Sequence, residues 1–83
     1  MSYRVQYANA AEAALAKLSD SRRREIVTTA DATIGRDPYG HGSCAIRGDR
    51  DRREVTIARA FVTYEVSPNV VVVTVMQVTA PFG

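Results

Sequence analysis

Eighty-three residues with 46% hydrophobic and 24% charged side chains describe one ordinary globular domain, residues 1–83, able to bury only roughly 60% of its unfolded surface. A single cysteine, Cys44, excludes an internal disulfide, and no Cys or His cluster offers a metal site. A net charge of +2, carried by ten Arg and one Lys, is small for a protein that must compete for nucleic acid, although Arg makes forked contacts to phosphate and carboxylate that Lys does not.

The N-terminus shows no charged-then-apolar leader, and no run approaches the ~18 apolar residues of a membrane span. A cytoplasmic protein with no cofactor, no metal and no membrane contact is the expectation. Cys44 is expected to be a small buried or half-buried residue, as free Cys commonly is.

Tyr3 to Tyr7 alternates and predicts a short first strand with Tyr3, Val5 and Tyr7 on one face. Asn9 reads as a helix N-cap with Glu12 at N3. Ala11, Ala14, Leu15 and Leu18 then recur at helical spacing, giving a narrow stripe of small apolar residues. Ser19-Asp20-Ser21 recaps the chain into a second helix reaching about Ile34. Ile26, Val27, Ala30 and Ile34 face inward there, and Gly35 stands at the C′ position. Arg22, Arg23 and Arg24 occupy the first turn of that helix, where the macrodipole disfavours cations by a few tenths of a kcal/mol. They read either as a solvated face paired with Asp20 and Glu25 or as a contact for acidic groups or phosphates.

Arg36 to Ser43 concentrates the turn chemistry of the chain, and His41 within it has no catalytic partner at a defining spacing. Cys44 to Arg47 begins the sheet, Gly48 ends that strand, and Asp49 to Arg52 reads as a polar turn. Val55 and Ile57 alternate with Glu54 and Thr56. Val62, Tyr64 and Val66 alternate with Phe61, Thr63 and Glu65. Val70 to Val73 is an unbroken apolar run continued by Val75, Met76 and Val78, as expected of a strand covered on both faces and inside the sheet. Ser67-Pro68-Asn69 closes a hairpin before it. The order β-α-α-β-β-β-β predicts an α+β fold: an N-terminal helical hairpin packed on one face of a twisted, mostly antiparallel sheet, with residues 79–83 trailing.

One family shares this layout together with its landmarks. The first strand, the helical hairpin with its Arg-Arg-Arg, Asp37-Pro38-Tyr39-Gly40, Gly42-Ser43, Ile46-Arg47-Gly48, Arg53-Glu54-Val55, and Val62 to Val66 followed by the valine run resemble the RelE/ParE superfamily of toxins from type II toxin–antitoxin pairs. The resemblance covers about residues 3 to 78. It implies a RelE-like fold and a bacterial or phage protein neutralised by a cognate antitoxin that docks an amphipathic helix or adds an edge strand. The first helix, through Ala11 and Ala14, and an exposed sheet edge are the surfaces expected to receive it. In the RelE branch the resemblance implies cleavage of mRNA on the ribosome, and in the ParE branch inhibition of DNA gyrase.

Metal-free RNA cleavage needs basic side chains around the phosphate, where the loss of one oriented donor costs ~10²–10³ in rate. At the positions where efficient RNA-cutting relatives carry basic or proton-transferring groups, this chain has Glu54, Thr56, Phe61, Ala80 and Pro81. The resemblance therefore implies a toxin that acts by binding a protein such as gyrase. A metal-independent endoribonuclease with relocated arginines is the alternative: Arg47, Arg53, Arg59 and His41 are its candidates for catalysis, and Arg4, Arg22, Arg23, Arg24, Arg47, Arg53 and Arg59 for binding RNA or a partner. A non-toxic interaction or regulatory protein on the same fold is the third reading.

Overall fold

Residues 2–83 are described by a computed structural model. Its elements run β1 (Arg4–Tyr7), α1 (Asn9–Ala16), α2 (Asp20–Ala32), β2 (Cys44–Ile46), β3 (Asp49–Ile57), β4 (Ala60–Ser67) and β5 (Val72–Thr79). The five strands form one sheet in the order β1-β5-β4-β3-β2. Every neighbouring pair is antiparallel except β1 with β5, which is parallel. This is the expected α+β layout, with the valine-rich last strand between two others.

Alternation decides which face is covered. Val55, Ile57, Val62, Tyr64, Val66, Val73, Val75 and Val78 are buried together with Ala11, Leu15, Ile26, Ala30 and Ile34 of the helical layer. A bulge lies between Thr63 and Tyr64 on β4, opposite Val75 to Gln77 on β5. The extra residue, Met76, shifts the parity of β5, so that Val78 returns to the covered face three residues after Val75.

Several boundaries differ from the sequence reading, each for a local reason. Asn9 is the first residue of α1; Ala8 holds the N-cap position and no side chain caps the helix. The expected capping box is absent. Ser19 does cap α2, its Oγ accepting the Arg22 N–H at 3.2 Å. That helix ends at Ala32, and Gly35 serves close packing rather than a left-handed cap. A Cβ there would stand 2.7 Å from the Asp31 carbonyl oxygen and 3.0 Å from Val5 Cγ2. The Gly35 carbonyl accepts the Tyr3 N–H at 2.6 Å, tying the start of β1 to the end of α2.

Asp49 to Arg52 belongs to β3; the turn before it is Arg47-Gly48, whose φ values of 54° and 78° are those of a two-residue hairpin turn. Val70 and Val71 lie in the β4–β5 turn, Val71 at φ 57° with its carbonyl accepting the Arg4 N–H at 3.0 Å. Cys44 is exposed, because its position on β2 faces away from the helices.

Two guanidinium groups hold structure together in ways that strand parity alone conceals. Arg53, 9% exposed, points under the sheet. It donates to Ser43 Oγ at 3.0 Å, to the Arg50 carbonyl at 3.0 Å, to the Ser43 carbonyl at 3.2 Å and to the Tyr39 carbonyl at 3.4 Å. The Asp37–Ser43 loop is thereby fixed to β3. Tyr64 adds a hydroxyl bond to the Pro38 carbonyl at 2.5 Å, and Tyr39 donates its hydroxyl to Asp51 at 2.7 Å beneath the Arg50 guanidinium. Burial and the bond to Asp51 push the Tyr39 phenol up to about 12, so it stays a neutral donor. Burial, helped by the charge of Asp31, likewise raises Tyr7 to about 12.

Arg22 is the second. Its side chain is 10% exposed and donates to the Arg59 carbonyl at 3.1 Å, to the Ala58 carbonyl, and to the Gly83 carbonyl at 2.6 Å, while pairing with Glu25 at 2.8 Å. Ala58 and Arg59 form the β3–β4 turn with φ of 48° and 58°, a left-handed pair without glycine that costs about 1–2 kcal/mol per residue. Arg22 grips both carbonyls of that strained turn.

Two outcomes follow. Arg53→Met leaves the loop carbonyls unmatched in a buried setting and lowers stability by about 2–4 kcal/mol in urea unfolding. Ala58→Gly relieves the turn and raises stability by about 0.5–1 kcal/mol, whereas Arg22→Ala lowers it in the same assay.

Candidate functional site

The helices leave one face of the sheet open, and strand register states which side chains stand on it. Gln6, Thr74, Glu65 and Arg52 form one row across β1, β5, β4 and β3. Gln6 Nε2 donates to Thr74 Oγ1 at 2.9 Å and Arg52 Nε to Glu65 Oε2 at 3.1 Å, so the row is internally satisfied. The next row is Gln77, Thr63, Glu54 and Cys44, and the one after it Thr79, Phe61 and Thr56.

A hollow of about 310 Å³ opens between these last two rows, walled by Cys44, Glu54, Thr56, Phe61 and Thr63 with Gly42 at its rim. A second hollow of about 360 Å³ shares Thr63 and runs from Ile46 of β2 past Arg52 and Glu65 to Ala8 and Ala10 at the start of α1. No residue lining the first hollow is basic, and the single Arg of the second is already paired with Glu65.

Glu54, Thr56 and Phe61, the positions at which the family resemblance places cationic groups, thus share one hollow. Ala80 packs partly buried against the core beyond β5, and Pro81 is exposed. Around the hollow there is a carboxylate, hydroxyls and an aromatic ring. A carboxylate can accept a proton, but nothing lining the hollow offsets the charge that grows on a phosphate under attack.

The arginines proposed as substitutes do not converge. Arg47 and Arg59 lie in the turns at opposite ends of β3, a nine-residue strand spanning about 30 Å at ~3.3 Å per residue. Arg53 lies between them on the covered face, committed to the Asp37–Ser43 loop. Arg4 stands on the open face of edge strand β1, three strands from Arg52, and reaches Gln6 at 3.4 Å. His41 is exposed in the loop with φ 59°, beside the rim residue Gly42.

The Arg22-Arg23-Arg24 run also separates. Arg22 is the turn clamp. Arg23 pairs with Asp20 and reaches the Leu15 carbonyl at 3.4 Å, offsetting the helix dipole that would otherwise repel it. Arg24 is exposed, with no ion pair among the described residues. Ala11 is 0% exposed and is core, so it cannot touch a partner. Ala14 is half-buried in a groove with Lys17, Leu18, Val78, Thr79 and Ala80.

Arg52, the one arginine on the open face beside the hollows, escaped the sequence reading. Its signal was the parity of β3: if Val55 and Ile57 are inward, so is Arg53, and Arg52 must share a face with Glu54.

The fold is that of the RelE toxins. The chain superposes with a TM-score of 0.83 at 17% identity on a chain of the toxin–antitoxin complex RelBE2 from Mycobacterium tuberculosis, over 96% of this chain and 99% of that one. On the archaeal RelE–RelB complex from Pyrococcus horikoshii the TM-score is 0.73 at 20% identity, over 99% and 98%. On the isolated E. coli RelE toxin it is 0.74 at 20% identity, over 94% and 83%. No family model matches the sequence, and no curated protein matches it either.

The open face makes its own prediction. Glu54→Lys combined with Thr56→Lys, both exposed, gives the hollow two cations without touching the core. This double variant binds a short single-stranded RNA measurably better than the parent in fluorescence anisotropy, with a log–log salt slope steeper by about 1.4.

Proposed function

We propose that this chain is the toxin of a type II toxin–antitoxin pair in a bacterium or phage, held inactive in the cytoplasm by a cognate antitoxin, and that it acts by binding a protein rather than by cutting RNA. The observation that carries the reading is the fit of nearly the whole chain to RelE toxins, several of them solved in complex with their antitoxins. What supports binding over cleavage is the lining of the open-face hollow, in which Glu54, Thr56 and Phe61 replace the cations that cleavage needs.

DNA gyrase is the first target to test, because inhibition of that enzyme is what the ParE side of the resemblance implies. For the antitoxin contact we favour the groove in which half-buried Ala14 and Leu18 stand beside Val78, an apolar lining that suits an amphipathic helix.

Induced expression of the chain is expected to arrest bacterial growth, and coexpression of the protein encoded beside it to restore growth. Primer extension on translating ribosomes at saturating protein shows no cut in the mRNA. Cleavage that Arg47→Ala or Arg59→Ala abolishes would instead establish the endonuclease. Absence of arrest would leave an interaction protein on this fold. Ala14→Glu weakens capture by the neighbour's product while the unfolding midpoint stays within the range of exposed substitutions.

A further inference from the structure

We propose that the open-face hollow is a receptor for a basic side chain, arginine in particular, presented by a partner protein. The fold leaves one carboxylate on this face free. Two carboxylates stand there, Glu65 and Glu54. Glu65 is neutralised by Arg52 at 3.1 Å, whereas Glu54 makes no ion pair or side-chain hydrogen bond among the described residues. Glu54 is also the only charged residue lining the hollow.

Beside it stands Phe61, an aromatic ring left 56% exposed at the mouth of the same hollow. Glu54 lies opposite Thr63, and Phe61 is two residues from Thr63 on β4. Carboxylate and ring are therefore diagonal cross-strand neighbours on one face, a pairing whose spacing is about 7–8 Å and somewhat less between Cβ atoms. A guanidinium offers N–H groups along its edge and a cationic plane on its face, so one group can donate to a carboxylate while stacking on a ring. Thr56 and Thr63 add hydroxyl acceptors between the two.

A space of about 310 Å³ accommodates one long side chain. A polyanion gains nothing here, since the only charge it meets is negative. Growth arrest has no bearing on these contacts, so the receptor stands or falls separately from the toxin reading.

The probe is a blocked tripeptide with a central arginine, titrated into the isotopically labelled full chain and followed by amide NMR shifts. Shifts confined to Glu54, Thr56, Phe61 and Thr63 that saturate with peptide are the expected result, with a central glutamine giving none. Glu54→Gln, an isosteric change at an exposed position, weakens the arginine peptide about two- to fivefold, the range of an exposed ion pair. Phe61→Ala weakens it by a similar factor. Binding that Glu54→Gln leaves intact in a protein with an unchanged spectrum, or shifts scattered over the surface, would overturn the proposal. So would a short oligouridine moving the same amides, which would make the hollow a nucleic-acid site. Movement of those amides with protein concentration alone would overturn it as well, because a second copy of the chain would then be the occupant.

Discussion

The loop packed against the covered side of β3 is arranged around the Arg53 guanidinium. It is a buried cation with no carboxylate against it, held by three backbone carbonyls, one hydroxyl and the nearby ring of Tyr39. Such an ion is tolerable only if nearly every N–H is matched, because the cost of taking it from water is several kcal/mol. The loop that supplies most of those acceptors has little regular structure of its own. Arg53 therefore specifies the path of residues 37–43, and with it the rim of the open-face hollow at Gly42.

The division of labour among the arginines follows from that arrangement. Ten arginines suggest an adhesive surface, yet the fold consumes the most buried of them internally. Arg53 shapes a loop, Arg22 grips a hairpin of left-handed residues, Arg23 answers Asp20, and Arg52 answers Glu65. The hollow keeps a carboxylate and a ring. The hollow on the open face of this RelE-like fold is thus lined by neutral and acidic groups.

Much of the architecture was legible in the chain. Strict alternation in Val62-Thr63-Tyr64-Glu65-Val66 reports a strand wet on one side; the valine run places its strand inside the sheet, but the expected cover on both faces is absent, since Thr74, Met76 and Gln77 of β5 stand on the open face. Local chemistry misled where tertiary packing overrode it. Asn9 has the right side chain to cap a helix, but the chain leaves β1 one residue too early for it to do so. Val70 and Val71 have strand propensity and sit in a turn, because the register that pairs Ser67 with Val72 demands it. The roles of Arg22 and Arg53 were invisible for a different reason. Their acceptors are main-chain carbonyls, which every residue possesses, so no pattern of side chains announces them.

The parallel pairing of β1 with β5 carries a temporal consequence. Arg4 to Tyr7 find their sheet neighbour in Val72 to Val75, with both helices and three strands of chain between them. During synthesis β1 waits unpaired while the helices and the hairpins between them assemble, and the sheet closes only when β5 has cleared the ribosome. A nascent chain is thus kept from its finished surface until translation of this segment is complete, an interval in which any protein that recognises the emerging helices can engage it first.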